Sequence, residues 1–143
     1  MIPGSSQGLP DAEDRNVLHV EIGPLNTENE RSVRVKRNGH VPYAADGDND
    51  VATSLDALSR LLSERNIALL QIIKTQAPRS VAELARLSGR PKASLTLTLR
   101  RLEKFGIVGF KDVDGRRKVP VVVCDRLLLE VDILDSGSAK LAR

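Results

Sequence analysis

The residues best placed to do chemistry are cations. Arg90, Lys92, Arg100, Arg101 and Lys104 fall within fifteen positions, and Lys111, Arg116, Arg117 and Lys118 follow closely. Residues 79–120 hold eleven Lys or Arg against four Asp or Glu, whereas residues 1–78 hold eight against eleven. The formal net charge of +3 therefore conceals one strongly basic segment. A focused cationic stretch is the electrostatic footprint of a surface for a polyanion. A solvated basic face has the same composition, so charge alone does not choose between them.

Other chemistries lack parts. The run Asp46-Gly47-Asp48-Asn49-Asp50 resembles the start of a calcium loop. Such a loop needs glycine at its sixth position and glutamate at its twelfth. Here those positions hold Val51 and Ala57, so an acidic surface loop is expected. His19 and His40 have no cysteine or acid partners at metal or triad spacing in the chain. Gly106-Ile107-Val108-Gly109 has no third glycine and precedes no helical pattern, which a phosphate loop requires. Cys124 is the sole cysteine, which excludes an internal disulfide and fits a reducing, cytoplasmic setting. It follows an apolar stretch and reads as a small buried residue rather than a nucleophile. No catalytic residue, metal ligand or cofactor is expected, and the chain is not read as an enzyme. No apolar run approaches the roughly 18–20 residues that cross a bilayer. Residues 1–15 lack the apolar core of a secretion signal.

The elements that must position the cations are legible from pattern. Hydrophobic residues make up 41% of the 143 residues and aromatics only 2%, so the core must be aliphatic. Ser80-Val81-Ala82-Glu83 is a capping box that opens a short helix burying Val81, Leu84, Ala85 and Leu87. Ser88-Gly89-Arg90 makes a tight turn, and Pro91 suits the first position of the next helix. In that helix, expected over Pro91 to Phe105, Leu95, Leu99 and Leu102 follow i, i+4, i+7 and form one inner stripe. At about 100° per residue the opposite side carries Arg90, Ala93, Leu97, Arg100, Arg101 and Lys104, with Ser94 and Thr96 flanking it. Gly106 closes the helix. Ile107–Val113 and Arg116–Val123 then pair across Asp114-Gly115, a hairpin signal. Pro120 cannot donate to a ladder and marks an edge or a bulge.

Upstream, Ser63 caps a helix over Glu64–Gln76, and Thr53 or Ser54 caps a shorter one over Thr53–Leu62. Ile67, Leu69, Leu70, Ile72 and Ile73 spread around most of the longer helix. It therefore needs cover on more than one side. The cover is either the N-terminal segment or a second subunit, the latter through Ile67, Leu69 and Ile72. Asn16–Ile22 and Arg31–Arg37 alternate as strands, and Asn38-Gly39 is a tight-turn signal. Leu127, Leu129, Val131 and Ile133 alternate with Leu128, Glu130 and Asp132 and read as a strand that joins the two N-terminal strands in a small sheet; Leu128 breaks the alternation and leaves a helix as the alternative. The resulting layout is a polar tail over residues 1–15, strands and an acidic loop over 16–50, a helical unit with a hairpin over 51–124, a terminal strand over 125–135 and a second tail over 136–143. The fold class is α+β.

With those residues in place, a resemblance emerges. Ser80-Val81-Ala82-Glu83-Leu84-Ala85, Leu95-Thr96-Leu97-Thr98-Leu99-Arg100-Arg101-Leu102-Glu103 and Gly106-Ile107-Val108 resemble MarR- and ArsR-related winged helix-turn-helix regulators. Gly89-Arg90-Pro91 and Gly115-Arg116-Arg117-Lys118-Val119-Pro120-Val121 are similar to a group of DNA-binding proteins often encoded beside a TumE-type toxin and regarded as its antitoxin. The resemblance implies a winged helix-turn-helix with a small extra β-sheet, a homodimer, double-stranded DNA as partner and a cognate toxin as a second one. It implies that Arg90, Lys92, Ser94, Thr96, Leu97, Arg100, Arg101 and Lys104 lie on the recognition helix. Lys111, Arg116, Arg117 and Lys118 would form the wing. Leu97 departs from the usual polar or basic residue there. It can meet a thymine methyl, or mark a face that also contacts protein. A regulator without a toxin partner and a docking module without a DNA role are the other readings.

Overall fold

A computed structural model describes residues 16–37 and 49–133. Among the described residues it is a mixed α+β chain. The strands are β1 (Val17–Leu25), β2 (Arg31–Arg37), β3 (Asn49–Thr53), β4 (Val108–Val113), β5 (Arg117–Val122) and β6 (Arg126–Val131). The helices are α1 (Leu55–Leu61), α2 (Glu64–Gln76), α3 (Val81–Ser88) and α4 (Lys92–Lys104). Strands β3-β2-β1-β6 form one sheet in that order, and β4-β5 form a separate hairpin.

The alternation in β1 and β2 has the expected consequence. Leu18, Val20 and Ile22 of β1 and Val33 and Val35 of β2 are all buried, while their neighbours along the strand point away. The antiparallel register sets Val20 against Val35 and Ile22 against Val33, so one face of the sheet is continuously apolar. Between the strands, the Asn26 side-chain oxygen accepts from the backbone N–H of Glu28 (2.8 Å) and Glu30 (2.9 Å), which closes the turn.

Two further strands extend this sheet, one of them not revealed by the local pattern. Residues 49–53, expected as the end of an acidic loop and the start of a helix, form β3 and pair with β2, with Val51 opposite Val33. Asp50 meets Arg34 at 3.4 Å across that ladder, which accounts for one member of the calcium-like run. Residues 46–48 and the Asn38-Gly39 turn signal lie outside the described residues. Leu127–Ile133, expected as a strand of this sheet, is one: β6 lies parallel to β1, with Leu129 opposite Val20 and Val131 opposite Ile22. β1 and β2 are therefore interior strands, and neither presents an open edge.

Each of the first three helices opens on a serine. Ser54, Ser63 and Ser80 accept through their hydroxyls from the backbone N–H of Ala57, Asn66 and Glu83. The capping box differs in one detail: Glu83 accepts from the N–H of Arg79 at 2.6 Å rather than from Ser80. Helix α1 starts at Leu55 with Ser54 as its cap, so Thr53 belongs to β3. Pro91 is the residue before α4 rather than its first residue, since its ψ of 141° is extended. Leu87, expected inside, is exposed. Leu69, expected at a subunit contact, is wholly buried in the chain's own core beside Ile73 and cannot touch a second copy. Ile67, Leu70 and Ile72 stay partly accessible.

Candidate nucleic-acid interface

Helices α3 and α4 carry the site, and the turn between them is built locally. Gly89 takes a φ of 72°, a left-handed conformation that costs glycine little, and its N–H donates to the Ala85 carbonyl at 2.9 Å. Leu84 anchors α3, and Leu95, Leu99 and Leu102 anchor α4, all wholly buried. At the far end of α4 the Ile107 N–H donates to Leu102 and the Gly106 N–H to Glu103, with Gly106 at a φ of 79°. This paired closure ends the helix sharply and launches β4.

With Leu95, Leu99 and Leu102 inward, α4 turns Ala93, Leu97, Arg100, Arg101 and Lys104 to the outside. Leu97 is 51% exposed at the middle of that face. Lys92 and Ser94 are exposed at its N-terminal end, and Thr96 donates its hydroxyl proton to the Lys92 carbonyl at 2.9 Å. Among the described residues Arg100 and Arg101 make no ion pair.

Arg90 does not belong to this face. It is half-buried, donating to Asn66 Oδ1 at 2.8 Å and to Thr98 Oγ1 at 3.3 Å. Asn66 in turn donates to the Leu61 carbonyl at 2.9 Å, so Arg90 locks α1, α2 and α4 together. Burial first, and the charge of Arg65 second, push its pKa below the ordinary guanidinium value. A contiguous positive charge is what the sequence pattern saw. A core-facing clamp is what the fold makes of it.

The hairpin is two-faced. Asp114 and Gly115 both take positive φ, 49° and 75°, and the Arg116 N–H closes on the Val113 carbonyl at 3.4 Å. Val113 pairs with Arg117, so the loop holds three residues rather than two. Pairing of Asp112 with Lys118 and of Phe110 with Pro120 puts these four on one side. There Arg100, Glu103 and Thr96 of α4 share a groove of about 380 Å³ with Phe110 and Lys118. Lys111 and Arg117 lie on the other side, sharing a separate groove with Arg79 and the end of α2. The single basic surface expected from sequence is thus split. Lys118 joins α4, Arg116 caps the tip, and Lys111 and Arg117 face away. Arg79 is one of two cations of the basic segment, with Arg86, that the sequence reading left out. Its position just before the α3 cap was the available signal. Asp114 and Asp112 partly neutralise the tip, at 3.2 Å from Arg117 and 3.9 Å from Lys118. β5 pairs on one side only, so Pro120 occupies an edge strand as expected.

Two residues weighed for chemistry have structural partners. His19 Nε2 lies 2.9 Å from Glu130 Oε1, and Glu21 lies on the same face. Glu130 is 111 residues away in sequence, so no spacing rule could find it. Glu21 itself accepts from Lys36 at 3.4 Å. Cys124 is buried and its thiol is pushed up to about 11, chiefly by that burial, which keeps it protonated near neutrality. His40 lies outside the described residues.

The chain is similar to the HVO_A0114 family, whose model matches residues 61–129, just under half of its length. The matched stretch spans the last residue of α1, helices α2 to α4, the hairpin and the first part of β6, and omits β1 to β3. No curated protein and no solved structure matches the chain. Among the described residues no helix is long and apolar enough to cross a membrane.

Proposed function

We propose that the chain is a DNA-binding transcription regulator in which α3, the Gly89 turn and α4 form a helix-turn-helix and β4-β5 its wing. One observation carries the reading. Helix α4 turns Leu97, Arg100, Arg101 and Lys104 outward on the side opposite a fully buried leucine stripe, and Lys118 of the hairpin shares a groove with Arg100. A helix placed in the major groove reads bases from its N-terminal and central positions. Ser94, Leu97 and Arg101 follow one another at i, i+3, i+7 and would face the base edges. Arg100, Lys104, Lys118 and Arg116 would hold phosphates, which position the protein without specifying sequence. Lys111 and Arg117 are removed from this set, as is Arg90. The chain would act as a homodimer on an inverted repeat with half-sites about 34–36 Å apart.

Fluorescence anisotropy on the DNA upstream of the gene tests this. With four such cations on each chain of the dimer, affinity should fall roughly ten-thousandfold between about 50 and 200 mM salt. Arg100→Ala should weaken binding to every sequence, and Arg101→Ala should change which sequences are preferred. Binding that is absent, or indifferent to salt, sinks the proposal. It would favour a docking role for the face around Leu97.

The resemblance to the antitoxin group extends the proposal. A small toxin encoded alongside would be neutralised by this chain, and the pair would repress their own operon. Co-expression with the adjacent gene product decides: growth arrest relieved by this chain supports the pairing, and a harmless neighbour leaves the plain regulator.

A further inference from the structure

Among the described residues the β-sheet has two edges, and they are built differently. Edge strands are usually blunted by shortness, polar side chains or proline, because their free N–H and C=O groups invite another strand. The β3 edge follows that rule: it is five residues long and begins Asn49-Asp50. The β6 edge does not. It reads Arg126-Leu127-Leu128-Leu129-Glu130-Val131, and Leu129 is 48%, Val131 37% and Ile133 88% exposed. Leu129 and Val131 lie on the same face as Val20 and Ile22, so the apolar face of the sheet continues past the part that the described residues cover.

The backbone of β6 is equally informative. Arg126 and Asp132 donate their N–H groups to Asn16 and Ile22, on the β1 side. In a parallel ladder alternate residues face the same neighbour, so Leu127, Leu129 and Val131 turn their N–H and C=O groups to the open edge.

We infer that β6 pairs antiparallel with β6 of a second copy of this chain, about a two-fold axis at Leu129. A two-fold contact must be self-complementary, and this register is. Leu129 meets its own copy, and Leu127 meets Val131. Those three residues satisfy all their outward backbone groups, and Arg126 lies opposite Asp132. Moving the axis to Glu130 would set that carboxylate against itself. Moving it to Leu128 would strand Val131 opposite Asp125. The same register places Ile133 of the second copy opposite Asp125. That is the mouth of a groove of about 260 Å³ lined by Ile67, Leu70, Ile107, Val122 and Leu127. The groove receives the otherwise unpartnered isoleucine, and Ile67 thereby enters the interface while Leu69 does not. The two sheets merge into one of eight strands, with both helical units on the same side. This inference rests on the homodimer in the proposed function and supplies its contact.

Sedimentation velocity on the full chain tests it. The wild type should be a dimer at about ten micromolar. Leu129→Lys places two ammonium groups at the axis and should raise the dimer dissociation constant at least about thirtyfold, the effect of a central hot-spot residue. Ile133→Glu should weaken the dimer as well, and its exposed position leaves folding intact. Arg126→Asp should weaken it by setting acids face to face, and Asp132→Arg in the same chain should restore it. A wild type that stays monomeric at about a hundred micromolar overturns the inference. So does a dimer that survives both Leu129→Lys and Ile133→Glu. DNA binding is read separately. A monomeric Leu129→Lys variant should still bind a single half-site. If neither protein binds DNA while the dimer responds as described, the interface stands and the DNA reading fails.

Discussion

The four-stranded sheet and the helical unit treat charge in opposite ways. On the outer face of the sheet the cations lie beside acids on neighbouring strands. Lys36 meets Glu21 and Arg34 meets Asp50, while the His19 ring shares a hydrogen bond with Glu130. Such exposed cross-strand pairs are worth at most about 1 kcal/mol each, but they leave little net field. On α4, Arg100 and Arg101 have no acidic partner among the described residues, and the field they raise extends outward. The difference separates charges paired within the fold from charges left facing solvent. The joint between the two regions is polar at its rim. The Arg37 guanidinium of β2 donates to the Gly106 carbonyl at 3.1 Å, Asn16 donates to the Val123 carbonyl at 2.8 Å, and Lys74 meets Asp125 at 2.7 Å.

The joint can be broken most severely at Gly106. Its φ of 79° disfavours any side chain, and a methyl group there would collide with the Arg37 guanidinium. Gly106→Ala should cost about 2–3 kcal/mol in denaturant unfolding, combining backbone strain of about 1–2 kcal/mol with the displaced guanidinium. Gly115→Ala shares the strain but meets open space, so it should cost only that strain, about 1–2 kcal/mol. Equal losses at the two glycines would show that Arg37 does not couple sheet to helices.

A second test uses Cys124, which is buried where the regions meet. Its thiol titrates near 9 when unfolded and about 11 in the fold. The folded state thus keeps a proton that the unfolded chain gives up. The stabilisation is complete below pH 9 and is lost as pH rises toward 11, about 2–3 kcal/mol in all. Urea titrations across that range should show the decline, and Cys124→Ala should flatten it by that amount. An identical slope in the variant would mean that the thiol is not desolvated.

The smallest effect sharpens the contrast between paired and solvent-facing charges within the helical unit itself. Arg90→Ala should lower stability by about 1–2 kcal/mol, because Asn66 Oδ1 loses its donor inside the protein. Arg101→Ala should leave the melting temperature unchanged. Differential scanning calorimetry on both variants checks this. A stable Arg90→Ala protein with weakened DNA affinity would return Arg90 to the binding face.

How much of this was readable beforehand depends on the range of the forces. Ser63, Ser80 and Gly89 act on atoms within four residues, and Asp114-Gly115 needs only its own dihedrals. The bounds of α2, the end of α3 and the position of the hairpin could therefore be read from neighbouring residues alone. The leucine stripe of α4 and the alternation in β1 and β2 are periodic, so their buried faces were equally plain. What the chain could not announce locally was partnership across distance. Asn49–Thr53 is too polar and short to read as a strand until β2 supplies its ladder. β6 read as a strand that joins the N-terminal pair, but only the fold sets it parallel to β1, more than a hundred residues earlier. Arg90 and Arg101 are the same residue type eleven positions apart. Only the arrival of Asn66 and Thr98 beside one of them decides that it holds the fold together while the other faces solvent. The hairpin cations were visible as a cluster, but which of them share a side with α4 is set by strand pairing and by where the hairpin packs. Sequence determined the elements and their apolar faces because those follow from contacts a few residues apart. Tertiary structure decided which charges remain available, because desolvation and pairing depend on neighbours that only the fold brings near.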